Sequence, residues 1–450
     1  MTQYPCRFST TDRDLEKGTF RMQSSHTLDR VAVTFDDEHA VADAGLILPA
    51  TLAGKIRVED AADAVVDRGK RPGRMALTIV HGMLAGAECI DDCDILRSGS
   101  TERVLGHKVM APSTLGTWLR SFTFGHVRQL DKVAEIALTN AWQLGFGPGA
   151  ERLVIDVDST ICEVCGHAKH GAGYGYTKRL GYHPLLATRA DTGEILHTRF
   201  RKGNANTQKG APRFVRETAG RVRRAGATGE LEFRFDSGFF SKDVIKACTD
   251  HGARFSITIP LHQYVLNAIA DINEDEFTPI EYPDSGIAEV AETTIHVDSK
   301  PHRLIVRRVR NFEDKGQLFL TWRHHAFVTD KTADCVTLDA EHRHHAVVEL
   351  AIRDIKNEGL AKCPSGHFFA NSAWAVLATI AHNMLRWIAI LGEDHDGLVV
   401  AKTLRRHLIQ LPGRITRSAR RLTLRLPARW PWRDAFAQIL QRLRSLPQPA

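Results

Sequence analysis

Cysteine is scarce in this 450-residue chain: there are eight, with no regular framework. A chain of this length can build its own apolar cores, so a disulfide-stapled secreted scaffold is excluded. A signal-like start is also missing. Met1-Thr-Gln-Tyr-Pro5 leads into charged residues, not an apolar core, and a reducing cytoplasm is the expected location. There is no internal repeat and no low-complexity segment, which sets solenoids and disordered linkers aside. Only one long apolar stretch occurs, Ala373 to Leu391, and His382, Asn383 and Arg386 interrupt it. It reads as a buried helix, with no membrane partner expected. Acids, finally, are nearly absent from residues 401–450, where 12 Lys and Arg face the single Asp434. The first 400 residues hold 48 basic and 52 acidic side chains. Positive charge gathered at one end points to a polyanionic partner.

What remains is ordinary for a globular protein, with 43% hydrophobic and 25% charged residues, and its length suggests roughly two to four domains. Residues 1–70 are mixed, with short apolar runs at 44–49 and a helix candidate near Glu59–Val66. From 71 to 150 the pattern is helical. Within it, Ala111 to Ser121 resembles the second helix of a helix-turn-helix: Ser113 is placed to cap, Leu115, Trp118 and Leu119 form an inner face, and Arg120 is a DNA-contact candidate. Residues 150–260 read as strands at 152–158, 182–188, 195–201, 231–236 and 254–259, with helices near 209–224 and 241–250. Asp191-Thr-Gly193 supplies a tight turn, so the second and third strands form a hairpin. An antiparallel meander followed by crossover helices and parallel strands is the order of a ribonuclease H-like α/β mixed sheet. That fold is expected over 151–259 and 341–400, with a β-rich insertion at 260–340, including runs at 303–309 and 318–322. A helix at about 371–391 and a basic tail at 401–450 complete the layout.

Three acidic patches carry the chemistry. In Arg152-Leu-Val-Ile-Asp-Val-Asp-Ser-Thr160, Leu153, Ile155 and Val157 share one strand face and Asp156 and Asp158 the other. In Leu231 to Gly238, Leu231, Phe233 and Phe235 oppose Glu232, Arg234 and Asp236. Both runs end in small-residue turns, so each delivers a carboxylate at the carboxyl end of a strand. The third patch has helical period: His342, His345, Glu349, Arg353 and Lys356 fall on one stripe. Alone, a strand-end Asp is usually a turn residue, and the Glu349 stripe a solvated helix face. Together, two strand-end aspartates and a helix-borne glutamate suit a pair of divalent metals for phosphodiester chemistry, because Mg²⁺ and Mn²⁺ prefer oxygen ligands.

Six stretches carry a resemblance to a known family: Ile155-Asp-Val-Asp-Ser-Thr160, Gly181-Tyr-His-Pro-Leu-Leu186, Arg201-Lys-Gly-Asn-Ala-Asn-Thr207, Phe235-Asp-Ser-Gly-Phe-Phe240, Val348 to Lys356, and Phe369-Ala-Asn-Ser-Ala-Trp374. Together they resemble bacterial insertion-sequence transposases of the DDE type, in the insertion-sequence-1380 branch, over almost the whole chain. The resemblance implies a metal-binding catalytic triad of Asp158, Asp236 and Glu349, holding two Mg²⁺ or Mn²⁺ ions, with Asp156 as the alternative first ligand. It also implies cut-and-paste strand cleavage and transfer on double-stranded DNA, at inverted-repeat ends and at a target, by a homodimer assembled on DNA. Relatives carry a Tyr-Arg-Glu-Lys signature at the last acid. Here Glu349 and Lys356 match, while His342 and His345 stand at the first two positions. A histidine is mostly neutral at pH 7 and lacks the arginine fork. DNA contact is expected at Lys356, His342, His345 and Arg353, at Arg120, and at Arg417, Arg420 and Arg421 of the basic tail. The alternative is a catalytically silent DNA-binding protein derived from such an element. A third reading is a related nuclease acting on RNA or branched DNA.

Two further motifs point elsewhere on inspection. Cys162, Cys165, His167 and His170 crowd within nine residues, but the His spacing is shorter than in zinc fingers, so a reduced loop is expected. Gly171-Ala-Gly-Tyr-Gly175 lacks the Lys and Ser of a phosphate loop and reads as a turn. Cys89 and Cys93 lie in a helical stretch with no redox role expected.

Overall fold

The computed structural model describes residue 28 and residues 31–166, 168–175, 177–282, 286–311, 322–392 and 399–447. By its contacts the chain divides into residues 1–37 and residues 38–450, and the fold below is that of the second unit.

Its centre is a nine-stranded mixed sheet. Strands β1 (Leu153–Ser159), β2 (Leu185–Arg189) and β3 (Ile195–Arg199) form the expected antiparallel meander. The β2–β3 turn closes at Gly193, which has φ 70° and donates its N–H to Arg189 O. Strand β4 (Leu231–Phe235) runs parallel to β1 on its other side, and β5 (Ala253–Thr258) parallel to β4. The expected second strand is shorter than 182–188, because His183-Pro184 interrupts it and Pro cannot donate to a ladder. Residues 260–340 were expected as a β-rich insertion. Their strands β6 (Thr278–Ile280), β7 (Gly286–Val297), β8 (Lys300–Asn311) and β9 (Arg323–Thr329) extend the same sheet, with β9 antiparallel to β5. Of the expected 318–322 run, only Trp322 lies within the described residues.

The helices are amphipathic or wholly buried according to their place. In order they are α1 (Ile47–Lys55), α2 (Val58–Val65), α3 (Pro72–Ala85), α4 (Thr101–Leu105), α5 (Pro112–Arg120), α6 (Phe124–Ala141), α7 (Ala211–Ala225), α8 (Lys242–Thr249), α9 (Gln263–Ala270), α10 (Cys335–Arg343), α11 (Val348–Ile355), α12 (Phe368–Ile390), α13 (Ala401–Leu404) and α14 (Arg433–Ser445). The first six do not stand apart as a separate domain, since α3, α5 and α6 pack directly on α12. In α5, Leu115, Trp118 and Leu119 face inward as expected, but Ser113 does not cap. Pro112 takes the first helical position, which places Ala111 at the N-cap and Ser113 inside the helix.

Helix α12 is long and apolar enough to cross a membrane, yet 89% of its apolar window is buried within the fold. Most of its buried polar side chains find partners inside the fold, although Arg386 Nε has none among the described residues. His382 bonds Glu358 at 2.8 Å and Gly193 O at 2.9 Å. Arg386 pairs with Asp354 and donates to Val399 O at 2.8 Å. Asn383 accepts from Ile195 N–H at 2.7 Å and donates to Ile195 C=O at 2.8 Å. It thus supplies the edge strand β3 with the hydrogen bonds a neighbouring strand would make.

Residues 401–450 are not an extended tail. They form α13, a hairpin of Gly413–Ser418 and Arg421–Arg425, and α14, whose Phe436, Ile439 and Leu443 are buried. Replacing Asn383 with Ala leaves two buried backbone groups of β3 unpaired. Urea denaturation is expected to show a loss of about 2–4 kcal/mol, and parent-like stability would refute this account of the strand edge.

Candidate active site

Parallel pairing of β1 with β4 places Val157 opposite Phe235. Continued by one residue, the same register sets Asp158 beside Asp236 at the carboxyl ends of both strands. Each carboxylate is held by a local backbone N–H: Ser159 N–H to Asp158 Oδ1 at 2.6 Å, and Gly238 N–H to Asp236 Oδ1 at 3.1 Å. Gly238 is needed for close approach, since a Cβ there would stand 3.2 Å from Thr207 Cγ2 and from Asp236 Oδ1.

The third acid comes from α11. Val348, Ala351, Ile352 and Ile355 form its buried face, which packs on β1 and β2, leaving Glu349 and Arg353 exposed. Burial pushes the Asp158 carboxyl up to about 6, and the negative charges of Asp236 and Glu349 add to the rise; Ser159 N–H and His345 oppose it. Burial likewise raises Asp236, against His345 and two backbone N–H groups. Asp158, Asp236, Glu349 and His345 therefore share one electrostatic neighbourhood. Among the described residues, no three His, Cys, Asp or Glu side chains are gathered closely enough to hold a metal ion.

Asp156 sits deeper and is fully buried. Arg234 grips both its oxygens at 2.7 Å, and His345 Nδ1 lies 2.8 Å from Oδ1. The polar strand face is covered here: Asp156, Glu232 and Arg234 are all buried. Buried charges require partners, and Glu232 finds Lys331 at 2.8 Å, which also pairs with Glu341.

The expected stripe from His342 to Lys356 is broken. Helix α10 ends at Arg343, residues His344–Val347 form a tighter 3₁₀ turn, and α11 starts at Val348. Three residues per turn in place of 3.6 rotates His342 off the Glu349 face. His342 lies against β5, with Nδ1 2.9 Å from Ser256 Oγ and Nε2 2.9 Å from Thr258 Oγ1, and stacks on Phe327 at 4.1 Å. Both its ring nitrogens are occupied within the fold, so the DNA contact expected of it would require one to be released. His345 is engaged by Asp156 through Nδ1. Lys356 begins the wide turn Lys356–Leu360 and is half-exposed. Arg120, at the end of α5, and Arg417, Arg420 and Arg421, in the hairpin, are exposed on elements other than those that carry the three acids.

Two residues that secure the site lie in the family-like stretches but had no role assigned to them. His183 is buried, with Nδ1 2.7 Å from Ala205 O and Nε2 2.9 Å from Ser159 Oγ. Arg201 donates to the carbonyls of His183, Asn206, Thr207 and Lys209 at 2.8–3.2 Å. Together they tie the loop after β3 beneath both aspartates. The visible signal was a charged residue beside a Gly/Asn-rich turn, which alone does not distinguish a loop organiser from a surface arginine.

The cysteine–histidine motif does not converge among the described residues. Cys162 is buried against Cys363, Cys165 is exposed, and His167 lies outside the described residues. The nearby glycines serve backbone packing: a Cβ on Gly203 would lie 2.0 Å from Gly181 O and 2.4 Å from Gly173 O.

The family profile described as "Transposase DDE domain group 1" matches residues 23–448. The chain belongs to that transposase family. No curated protein sequence matches it. Among solved structures it is distantly similar to the piggyBac transposase synaptic complex with hairpin DNA, determined by cryo-electron microscopy. The two are 11% identical, with 82% of this chain and 79% of that one covered and a TM-score of 0.45.

Burial holds His342 down to about 3, from an ordinary 6.5. Because the folded value is the lower one, the unfolded chain takes up a proton first as pH falls. Stability is lost from about pH 6.5 downward until the folded value is reached. Between pH 6.5 and 5 the parent is expected to lose about 2 kcal/mol more than His342→Gln. Urea titrations at several pH values would measure this, and parallel curves would refute it.

Proposed function

We propose that this chain is a DNA transposase that binds the ends of a mobile element and cleaves and transfers DNA strands, with Asp158, Asp236 and Glu349 as its catalytic carboxylates. The observation that carries this reading is the β1–β4 register, which sets Asp158 beside Asp236; burial raises Asp158, and the charges of Asp236 and Glu349, from elements more than 70 residues apart in sequence, add to the rise. The strand order β3-β2-β1-β4-β5 fits a ribonuclease H-like core, with the acids at its carboxyl edge.

By donor chemistry the three carboxylates suit Mg²⁺ or Mn²⁺, and two such ions are part of this proposal, although as they stand no three donors among the described residues are gathered closely enough to hold an ion. A divalent metal bound there would neutralise charge on the scissile phosphate and on the oxygens entering and leaving it. Asp158 is taken as the first ligand over Asp156, whose two oxygens are already engaged. The residues of the chain itself supply position. Ser159 and Gly238 N–H groups hold the two aspartates, α11 presents Glu349 from the exposed side, and Arg353 and Lys356 lie C-terminal to Glu349 to meet backbone phosphate.

In this reading water attack nicks one strand, and the freed 3′ hydroxyl makes the next attack. Two copies assembled on DNA join both ends in one event, within the cytoplasm. The open spacing of the acids favours one other reading, a silent DNA-binding product of a mobile element.

Nicking of a duplex carrying the element's ends, in Mg²⁺ or Mn²⁺, distinguishes the two. Asp158→Asn and Glu349→Gln are each expected to cut at least about 100-fold more slowly than the parent. If both cut as well as the parent, the carboxylate assignment is wrong. Asp158→Asn should also melt higher than the parent without metal, because it removes a buried charge that costs about 1–3 kcal/mol.

A further inference from the structure

We propose that the hairpin Gly413–Arg425 is a duplex-DNA arm, whose Arg/Thr face lies in a groove of the double helix. The inference rests on the DNA-transposase reading above and extends it from a basic segment to a defined surface.

The hairpin contains Arg414, Arg417, Arg420, Arg421 and Arg425 and no acid. Its register pairs Arg414 with Arg425, Thr416 with Thr423, and Ser418 with Arg421. These six residues share one face of the ribbon by strand alternation. All except half-exposed Thr416 are exposed. The other face bears Ile415 and Leu424 at the base, and Arg417 and Leu422 toward the tip.

The single acid of the last fifty residues, Asp434, is 97% exposed and lies 3.4 Å from Arg433, outside the ribbon. Arg420 and Arg421 have no acidic partner among the described residues.

The base of the ribbon is fixed. Residues Ala40–Val41 pair with Gly413–Arg414, and Ile415 donates its N–H to His39 O at 2.9 Å. Ile415 is buried, whereas Leu422 near the tip is 58% exposed. A Cβ on Gly413 would stand 2.6 Å from Ala44 Cβ, so the base is pressed onto the body of the fold. The result is an anchored two-stranded projection, the width of which suits a DNA groove. Alternating arginines and hydroxyls supply phosphate contacts and hydrogen bonds to base edges.

The test uses the full chain and a fluorescent duplex of about 30 base pairs, with anisotropy read from about 50 to 200 mM NaCl. Changing Arg421 and Arg425 together to Ala is expected to weaken binding at least tenfold. It should also reduce the slope of log affinity against log salt by about two, at roughly 0.9 for each phosphate no longer neutralised. Changing both to Lys should preserve most of the slope, because the charges remain.

As a measurement independent of any variant, the duplex should slow amide hydrogen exchange across 413–425 in the parent. Unchanged exchange there, or parent-like affinity and slope in the Ala variant, overturns the proposal. Binding of the parent to phosphatidylglycerol vesicles but not to duplex overturns it too. Failure of the carboxylate reading looks different: Glu349→Gln would then nick normally, whatever the ribbon variants do.

Discussion

The Asp156–Arg234 ion pair decides where the chemistry can be. It crosses the parallel seam between β1 and β4 with both partners buried and two contacts of 2.7 Å. A strand that slips by one residue turns every side chain to the opposite face. A buried charge left without its partner is among the costliest defects a fold can carry. The pair therefore selects one register, and in that register Asp158 and Asp236 fall side by side. Its remaining contacts reach further: Arg234 donates to Glu341 O on α10, and His345 in the following turn bonds Asp156. One ionic knot thus orients the two strands and the segment leading to Glu349.

Around that knot the protein uses polar groups to finish edges that apolar packing cannot. Asn383 completes β3, Arg201 gathers three carbonyls of one loop and that of His183, and His183 fixes the serine beside Asp158. Each lies inside, where a hydrogen bond excludes alternatives and an unpaired group is penalised. Helix α12 is the apolar counterpart. It joins the amino-terminal helices to the sheet, so the helical region expected to bind DNA is continuous with the sheet that carries the aspartates.

Much of the core was legible in the primary structure because its signals are local. Two-residue alternation located β1 and β4, the Asp-Thr-Gly turn located the β2–β3 hairpin, and the helical spacing of Glu349 and Arg353 located α11. Errors arose where distant contacts overrode local pattern. The stripe from His342 to Lys356 has helical spacing, yet β5 claims His342 through Ser256 and Thr258, and the chain tightens into a 3₁₀ turn between the two helices. The strands of 260–340 were recognisable, but periodicity does not say which edge a strand joins. The arginine-rich end looked like a tail because the short Ala40–Val41 strand that receives it is remote in sequence.

The amino-acid order alone determined which acids stand at strand ends, which helix bears the third, and where positive charge collects, since these follow from periodicity and composition. Tertiary structure decided which of the two neighbouring aspartates is spent on an ion pair, which histidines are buried, and that the basic segment is a ribbon with a face. Those outcomes depend on what lies across the fold from each residue. A single chain of letters carries that information only through the energy of the packed whole.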